Sequence, residues 1–225
     1  MYRIEDLQLF LSEFPFALWE TFYSTLLATL FAVIIGLPLG VLLVVSREDG
    51  IMPLNKSLMK LIDLLINILR SVPFLILMVV VIPFTRLLIG TAVGTFASIV
   101  PLVIASFPFI ARLTETSLLE VDNDIIEMAQ SMGANPFQII VKVLLAEAMP
   151  SLINNLTTAI TTILSYQAMS GTIGGGGLGK IAINYGYYRY RYLVMILSVI
   201  VLVILVQLIQ SCGSYIASKC DKRLK

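Results

Sequence analysis

The sequence predicts an all-α integral membrane protein with five transmembrane helices. Of its 225 residues, 58% are hydrophobic and 13% are charged, against roughly 45–50% and 25% in soluble domains. The mean hydropathy is +0.95. This composition excludes a disordered chain, a nucleic-acid-binding module and a typical soluble enzyme. It is typical of a chain whose helices face lipid.

Five stretches are apolar over the length of about 20 residues that a helix needs to cross a bilayer. They cover about 18–45, 58–88, 95–113, 148–169 and 192–211. The second is overlong and is interrupted by Arg70 and Pro73. Prolines predict bends in the first and third stretches as well. In the first, Gly36 and Gly40 lie four residues apart, which predicts the close approach of another helix.

The distribution of Lys and Arg predicts an external N-terminus and a cytoplasmic C-terminus. With that orientation the inner segments carry the larger share of the basic residues, and the tail SKCDKRLK is the clearest inside marker. We therefore expect an external segment at 1–16, a transmembrane domain at 17–211 and a cytoplasmic basic tail at 212–225.

Polar residues within the spans are candidates for a transport pathway. The fourth span is the most polar, and its candidate pathway-lining residues are Thr161, Ser165, Tyr166 and Met169. Such side chains either line a pathway or join neighbouring helices by hydrogen bonds. Arg70 is either a functional charge or a side chain that reaches the inner headgroups. Asp63 lies on nearly the same helical face, too distant for an i,i+4 pair.

The inner loop, at about 122–147, predicts a helix–turn–helix. Asp124 followed by Glu127 resembles a capping box that starts a short helix. Gly133 is a natural stop for that helix. Asn135-Pro136 predicts a cap followed by proline at the first position of a second helix. The expected apolar faces consist of Ile125, Ile126, Ala129 and Met132 in the first helix and Phe137, Ile140, Val141 and Leu144 in the second.

The outer loop, at about 170–190, contains a near match to a phosphate-binding loop. Its residues GGGGLGK are followed by Ile181, so the hydroxyl that would bind magnesium is missing, and no buried strand precedes them. A flexible or tightly turned glycine loop is the better interpretation. The tyrosines that follow suit an interfacial belt or a contact with a substrate-delivering protein.

The residues outside the spans are too dispersed to form a soluble catalytic domain. The inner loop is too small for an enzyme, and its short helix suits either docking in a groove on another protein or lying at the membrane surface. There is no His, and the two Cys, Cys212 and Cys220, are expected to be free thiols. Because the chain forms no soluble catalytic domain, we expect the energy for any transport to come from other chains.

The inner loop also carries a family resemblance. Its residues EMAQSMG resemble the EAA-xxx-G loop of the membrane permeases of type I ABC importers, with Met128 in the place of an alanine. Ala146 stands where that family's loop has its final proline. From about 17 to 211 the chain is similar to the permeases of bacterial methionine-uptake ABC transporters. The segments that carry this similarity include WETFYSTL, GLPLGVLL, NILRSVPF, PFIARLTETSLLEV, KVLLAEAMP and GGGGLGKIAINYGY.

The resemblance implies a permease subunit in the bacterial cytoplasmic (inner) membrane that transports methionine, with L-methionine as the expected substrate and transport of the D form left open. It implies a homodimer, two cytoplasmic ATPase subunits that bind ATP and Mg, and an external substrate-binding (lipo)protein. This chain would hold no cofactor and no metal. The ATPase-coupling residues would be Glu127, Met128, Ala129, Gly133, Asn135 and Pro136.

Alternatives remain open from the sequence. The segment Arg70–Pro73 also resembles the RGxP segment of polar amino-acid permeases, which allows another amino acid as the substrate. A secondary transporter acting alone would need centred ionisable residues and repeated halves, and the candidates Glu20, Asp63 and Arg70 lie near span ends. A membrane scaffold without transport is the third hypothesis. Glu127 either caps its own helix or pairs with a basic group of the ATPase.

Overall fold

The structure, a computed structural model, describes residues 2–47 and 50–221, with side chains from residue 4 onward. Over this part of the chain it consists of helices and turns, without a β-strand. Two π-helical stretches (Ile139–Leu144 and Ala182–Tyr187) and a 3-10 turn (Gly171–Ile173) join some of the α-helices. In chain order, the α-helices are α1 (Tyr2–Val45), α2 (Lys56–Ser71), α3 (Phe74–Val80), α4 (Ile82–Ile89), α5 (Thr95–Leu119), α6 (Asn123–Ser131), α7 (Pro136–Gln138), α8 (Leu145–Glu147), α9 (Met149–Ser170), α10 (Gly177–Ile181) and α11 (Tyr192–Cys220).

The chain divides into two units. Unit 1 comprises the described residues up to Phe31, together with Val72–Ser106 and Ile160–Gln210. Its apolar core is formed by Phe10, Ala17, Leu178, Ile181 and Val194. Unit 2 comprises Ala32–Ser71, Phe107–Ala159 and the described residues from Ser211, and its core contains Val45, Leu118, Val121, Leu144 and Ala148.

Three described helices, α1, α5 and α11, are individually long and apolar enough to cross a membrane. The number rises to five when two bent pairs are each counted as one span: α2 with α3, and residues 136–147 with 149–173. The sequence-based expectation of five spans equals this upper figure.

Helix α1 begins well before the predicted start of the first span. It runs from Tyr2 through Pro38 to Val45 without a break, whereas the apolar run alone suggested a start near residue 18. The earlier start has a packing reason, because Phe10 and Ala17 both lie in the core of unit 1. The first residues of the described chain are therefore part of a helix that extends into the predicted span.

The paired glycines of α1 permit a close helix contact in unit 2, as the sequence predicts. A Cβ atom at Gly36 would lie 2.6 Å from the carbonyl oxygen of Phe107, and one at Gly40 would lie 2.5 Å from that of Ala111. Both distances are too short for a real side chain. The backbones of α1 and α5 can therefore meet at this separation only because neither position has a side chain.

Proline interrupts the second span and not the third. Helix α2 ends at Ser71, and α3 begins after Pro73, because proline disfavours helical backbone in the preceding residue. By contrast, α5 continues through Pro101 and Pro108 as one helix of 25 residues. The predicted break in the second span is confirmed, and the third span is longer at its C-terminal end than its apolar run suggested.

Candidate functional site

The first helix of the inner loop, α6, starts two residues earlier than the sequence indicated. The carboxylate of Asp122 is the cap, and it accepts a hydrogen bond of 3.1 Å from the backbone N–H of Asp124. The predicted capping box of Asp124 and Glu127 is therefore wrong, because Asp124 already lies in the first turn. Glu127 is exposed and, with Arg47 and Gln130, lines a cavity of about 410 Å³.

Helix α6 stops at glycine, as predicted. Gly133 has φ = +79°, a left-handed conformation that suits a residue without a Cβ. The N–H of Gly133 donates to the carbonyl of Gln130 at 2.9 Å, and the N–H of Ala134 donates to that of Ala129 at 3.1 Å. These two bonds are the pattern of a Schellman motif, which satisfies carbonyls at the end of the helix.

The second helix of the inner loop starts with a complete capping box. The side chain of Asn135 accepts from the N–H of Gln138 at 2.9 Å, and the Gln138 side chain accepts from the N–H of Asn135 at 3.1 Å. Pro136 occupies the first helical position, where its missing N–H costs nothing. The predicted cap at Asn135 and Pro136 is confirmed, and Gln138 completes it.

The apolar faces of the loop differ from the predicted ones. Residues Ile139–Leu144 are π-helical, with more residues per turn than an α-helix, so the phase of the buried face changes. Ile139 and Leu144 are buried as a result, whereas Phe137 is 73% exposed. In α6, Ala129 is buried, although the resemblance implies an ATPase-coupling role for it. Met128 and Met132 are 60% and 75% exposed.

An ion network lies in the same unit as the inner loop. The guanidinium of Arg112 donates to the carboxylates of Asp63 and Glu115, and Glu115 also accepts from Arg47 at 2.8 Å. The side-chain oxygen of Asn67 accepts from Arg112 at 2.9 Å. The ion-pair partner of Asp63 is therefore Arg112, 49 residues away, and not Arg70 of its own helix. Arg70 lies exposed at the end of α2.

The same end of α5 is also joined to α9. The side-chain amide of Asn155 donates to the hydroxyl of Ser117 at 2.7 Å, and the hydroxyls of Ser151 and Ser117 lie 3.2 Å apart. Two of the polar residues near the start of α9 thus join helices by hydrogen bonds, which is one of the two roles that the sequence left open.

The candidate pathway residues of α9 separate into different environments in unit 1. Ser165 and Met169 line a cleft of about 500 Å³, together with Thr172 and Gln207. Tyr166 lies elsewhere on the helix, where its ring stacks on Phe74 with centroids 4.4 Å apart. Thr161 is half-buried, and its carbonyl accepts a hydrogen bond of 3.1 Å from the Ser165 hydroxyl. The structure brings together two of the four predicted residues.

The glycine segment, Gly174–Gly179, is tightly packed rather than flexible. The carboxylate of Glu20 accepts from the N–H of Gly177 at 2.8 Å, and the hydroxyl of Thr21 accepts from the N–H of Leu178 at 2.9 Å. Glu20 also accepts from the hydroxyl of Thr95, and the Gln167 side chain donates to the carbonyl of Gly176 at 3.1 Å. The sequence raised Glu20 only as a candidate ionisable residue for a secondary transporter, and its contact with the glycine segment was not predicted.

Most of the predicted outer loop is helical. Residues Gly171–Ile173, α10 and the π-helical Ala182–Tyr187 fill most of it, and positions 175–179 are buried. Of the two predicted alternatives, the flexible loop is wrong and the tightly turned segment is confirmed. Gly174 and Gly177 have positive φ, and a Cβ at Gly179 would lie 2.0 Å from the carbonyl of Ala168. Of the five tyrosines, Tyr185 is half-buried against the core of unit 1. The other four, at 187, 188, 190 and 192, are exposed, as both alternatives for them require.

No group of three or more His, Cys, Asp or Glu side chains suited to a metal occurs among the described residues. Polar side chains in both units form helix caps, ion pairs and hydrogen bonds between helices.

Comparisons with known proteins identify the family. Residues 32–212 match the model of the binding-protein-dependent transport system inner membrane component. The probable D-methionine transport system permease protein MetI of Vibrio cholerae is 49% identical over 210 residues, 92% of each chain. The D-methionine transport system permease protein MetI of Escherichia coli K12 is 47% identical over 153 residues, which cover 68% of this chain and 70% of that protein.

Solved structures agree with this assignment. A crystal form of the MetNI methionine ABC transporter in inward facing conformations is similar with a TM-score of 0.89 and 46% identity, covering 92% of this chain and 95% of that one. An amino acid ABC transporter with histidines shares the fold, with a TM-score of 0.71 at 21% identity over 98% and 96% of the two chains. The chain is a member of the family of binding-protein-dependent transport system inner membrane components.

Proposed function

We propose that this chain is the membrane-spanning permease subunit of an ABC importer for methionine. The observation that carries the proposal is the 46% identity, at a TM-score of 0.89 over 92% of the chain, with a subunit of the MetNI methionine ABC transporter. Relatives named as D-methionine permeases support L- and D-methionine as the substrates to test first.

The proposed complex contains two copies of this chain, two cytoplasmic ATPase subunits and an external substrate-binding protein. ATP and Mg are bound by the ATPase subunits, and this chain contributes no residue to hydrolysis. The inner loop is the docking element: it presents Glu127 and Met128 on an exposed surface of α6, between a capped start and a Schellman stop. Its helix ends are satisfied within the loop, which leaves the exposed face for a partner.

The proposed mechanism is alternating access. Closure of the ATPase pair displaces the inner loop and favours the outward-facing form, and release of the nucleotide products restores the inward-facing form. To move the population almost completely, ATP binding must favour one form over the other by about 5.5 kcal/mol. Ser165 and Met169, which line the cleft in unit 1, are the proposed substrate-facing residues of α9.

Reconstitution tests the function. The chain is co-purified with its ATPase and reconstituted in liposomes that contain ATP on the ATPase side, with the binding protein on the other. We expect uptake of radiolabelled L-methionine that is abolished when the ATP-binding lysine of the ATPase is replaced. Excess unlabelled D-methionine competes, whereas excess unlabelled histidine or glutamine does not.

Two results would contradict the proposal. Uptake of methionine by the chain alone, without an ATPase, would favour a secondary transporter. Preferred uptake of another amino acid by the complete complex would reassign the substrate and leave the ABC architecture in place.

The proposed orientation, with the N-terminus outside and the C-terminus inside, can be tested with the natural cysteines. Cys212 and Cys220 are both exposed in the structure. A membrane-impermeant maleimide should label Cys220 in inverted membrane vesicles and leave it unlabelled in intact spheroplasts. A cysteine introduced at Tyr190 in a C212S/C220S background is the opposite control and should react from outside. Labelling of Cys220 in spheroplasts would reverse the orientation.

A further inference from the structure

Four charged side chains in unit 2 form a continuous network of alternating sign. In order, they are Arg47, Glu115, Arg112 and Asp63. Glu115 lies between the two guanidinium groups, and Arg112 lies between the two carboxylates. The four formal charges cancel, which lowers the cost of placing them among apolar helices. The network joins the end of α1, the C-terminal half of α5 and the middle of α2.

The exposure of these side chains is graded along the network. The side chains of Glu115 and Arg112 are 10% and 19% exposed, whereas those of Arg47 and Asp63 are 48% and 46% exposed. The two central charges are therefore poorly screened and depend on their partners, and the two outer charges contact solvent. Replacing either outer residue is expected to change the electrostatic interactions that stabilise Glu115 and Arg112.

One outer end of the network lies against the inner loop. Ile126 of α6 packs on the apolar core that contains Val45 and Leu118. Val45 is two residues before Arg47, and Leu118 is one helical turn after Glu115. Because protein interiors are close-packed, a displacement of α6 must move these two segments. Arg47 and Glu127 also line one cavity, so the network begins beside the proposed docking element.

The other end of the network lies on α2. Asp63 and Asn67, one helical turn apart, both accept hydrogen bonds from Arg112, and the Asn67 amide donates to Asp63 at 3.2 Å. Nearby, Ile66 is buried against Leu43 of α1 and Ala111 of α5. Helix α2 ends at Ser71, where the Pro73 break follows. Arg112 is therefore bonded directly to a helix that ends at the Pro73 break.

Stability alone does not account for such a network. Replacement of a buried ion pair by apolar residues of similar volume is often neutral or stabilising. A charged network does differ from an apolar contact in holding its helices in a definite register, because hydrogen bonds have directional requirements that apolar contacts lack. The feature that these four residues supply is thus a fixed geometry between α2 and the helices beside the inner loop.

We propose that Asp63 and Arg112 are positioning residues that carry the displacement of the inner loop to α2 and so couple ATP hydrolysis to substrate movement. This inference rests on the proposed function, and it assigns to the ion pair a role in coupling rather than in substrate binding. The carboxylate of Asp63 must keep its ion pair with Arg112 while the inner loop moves. Loss of that charge lets the ATPase turn over without a matching movement of α2.

The test uses the complete complex in liposomes and measures methionine transported per ATP hydrolysed. In Asp63→Asn this ratio should fall by about 5- to 150-fold, the usual range of a coupling between two sites, while assembly and ATPase activity are retained. Asp63→Glu keeps the charge and should restore most of the ratio. Lys60→Gln, which removes an exposed charge one turn earlier on α2, is the matched control and should leave the ratio unchanged.

The inference is overturned if Asp63→Asn keeps the wild-type ratio, or if ATPase and transport fall in proportion, which would indicate a purely structural role. It is also overturned if Asp63→Glu is impaired as severely as Asp63→Asn. If the Asp63→Asn complex fails to assemble, Arg47→Gln at the solvent-exposed end of the network is tested instead. The methionine transported per ATP hydrolysed should then fall, and an unchanged ratio would reject a coupling role for the network. A wild-type complex without ATP-driven methionine uptake would instead reject the proposed function, and this inference with it.

Discussion

Two regions of the molecule require glycine, the inner loop and the glycine segment, and they require it for different reasons. At Gly133 in the inner loop, a Cβ atom would meet nothing within 4 Å, so only the positive φ of 79° restricts the residue. At Gly179 in the glycine segment, a Cβ would lie 2.0 Å from the carbonyl oxygen of Ala168. One glycine is required by the local backbone, and the other by the approach of a second helix.

The hydrogen bonds of the two regions show the same contrast. The inner loop is held by partners within five residues, such as Asn135 with Gln138 and Ala134 with Ala129. The glycine segment is held by Glu20 and Thr21, both 157 residues from the groups that they bind. The helix caps of the inner loop are therefore formed within the loop itself, whereas its apolar residues Ile126 and Leu144 pack in the core of unit 2. A segment bound by distant side chains suits a rigid part of the structure.

The largest effect is expected for Gly179→Ala, with Gly133→Ala as its matched counterpart. The new methyl group at 179 would overlap the backbone of α9, which cannot move as a flexible side chain can, and we expect a loss of about 4 kcal/mol or more. Gly133→Ala adds only the left-handed strain of about 1–2 kcal/mol. Melting temperature and yield of the purified complex in detergent measure both. Equal losses in the two variants would invalidate the contrast.

Glu20→Ala should have the second largest effect. It removes a carboxylate that accepts from both Gly177 and Thr95, and hydrogen bonds to a charged group are worth about 1.5–3 kcal/mol each. We expect a lower melting temperature and faster proteolysis within the glycine segment. Glu13→Ala, which removes a half-buried carboxylate two turns earlier on α1, is the control. If Glu13→Ala is as destabilising as Glu20→Ala, then the hydrogen bonds that Glu20 accepts from Gly177 and Thr95 contribute little to stability.

Gly133→Val should affect function more than folding. A β-branched residue strongly disfavours a φ of +79°, so the Schellman stop is lost and the second helix of the inner loop is misdirected. We expect normal membrane insertion and loss of ATPase association and uptake, measured by co-purification and transport. Gly133→Asn tolerates the left-handed region and should retain most of the activity. Normal methionine uptake by Gly133→Val would contradict the coupling role of the loop.

The smallest effect is expected for Asn135→Ala. The variant loses one of two reciprocal bonds of an exposed capping box, which costs about 1 kcal/mol. The consequence should be confined to the inner loop: a weaker association with the ATPase and an almost unchanged melting temperature of the permease. Asn135→Asp keeps an acceptor at the same place and should behave like the wild type. A large fall in melting temperature would show that the loop is part of the rigid core.

Several features could be predicted from the sequence because they depend on neighbouring residues. The stop at Gly133 and the cap at Asn135-Pro136 are determined within one or two turns of chain. The close approach at Gly36 and Gly40 follows from two missing side chains four residues apart. Asp122 was the nearest failure: the sequence analysis named Asp124 as the cap, and the structure places the cap two residues earlier.

The features that the sequence did not reveal depend on contacts between distant residues. Asp63 has a basic residue seven positions ahead on its own helix, yet its partner is Arg112 on α5. Ser165 and Tyr166 are adjacent in the sequence, and the structure places one in the cleft and the other against Phe74. The π-helical turn at Ile139–Leu144 changed the buried face of the inner loop, because periodicity arguments assume a constant number of residues per turn.

The sequence by itself determined that this chain is a helical membrane protein with a capped, glycine-terminated inner loop. Hydropathy, proline breaks and helix caps depend on residues that are close together in the chain. They can therefore be predicted from the sequence alone. The tertiary structure alone decided that the glycine segment is buried, that Glu20 caps it, and that Arg47, Glu115, Arg112 and Asp63 form one network. These arrangements require particular helix faces to meet, and which faces meet depends on the packing of the whole unit.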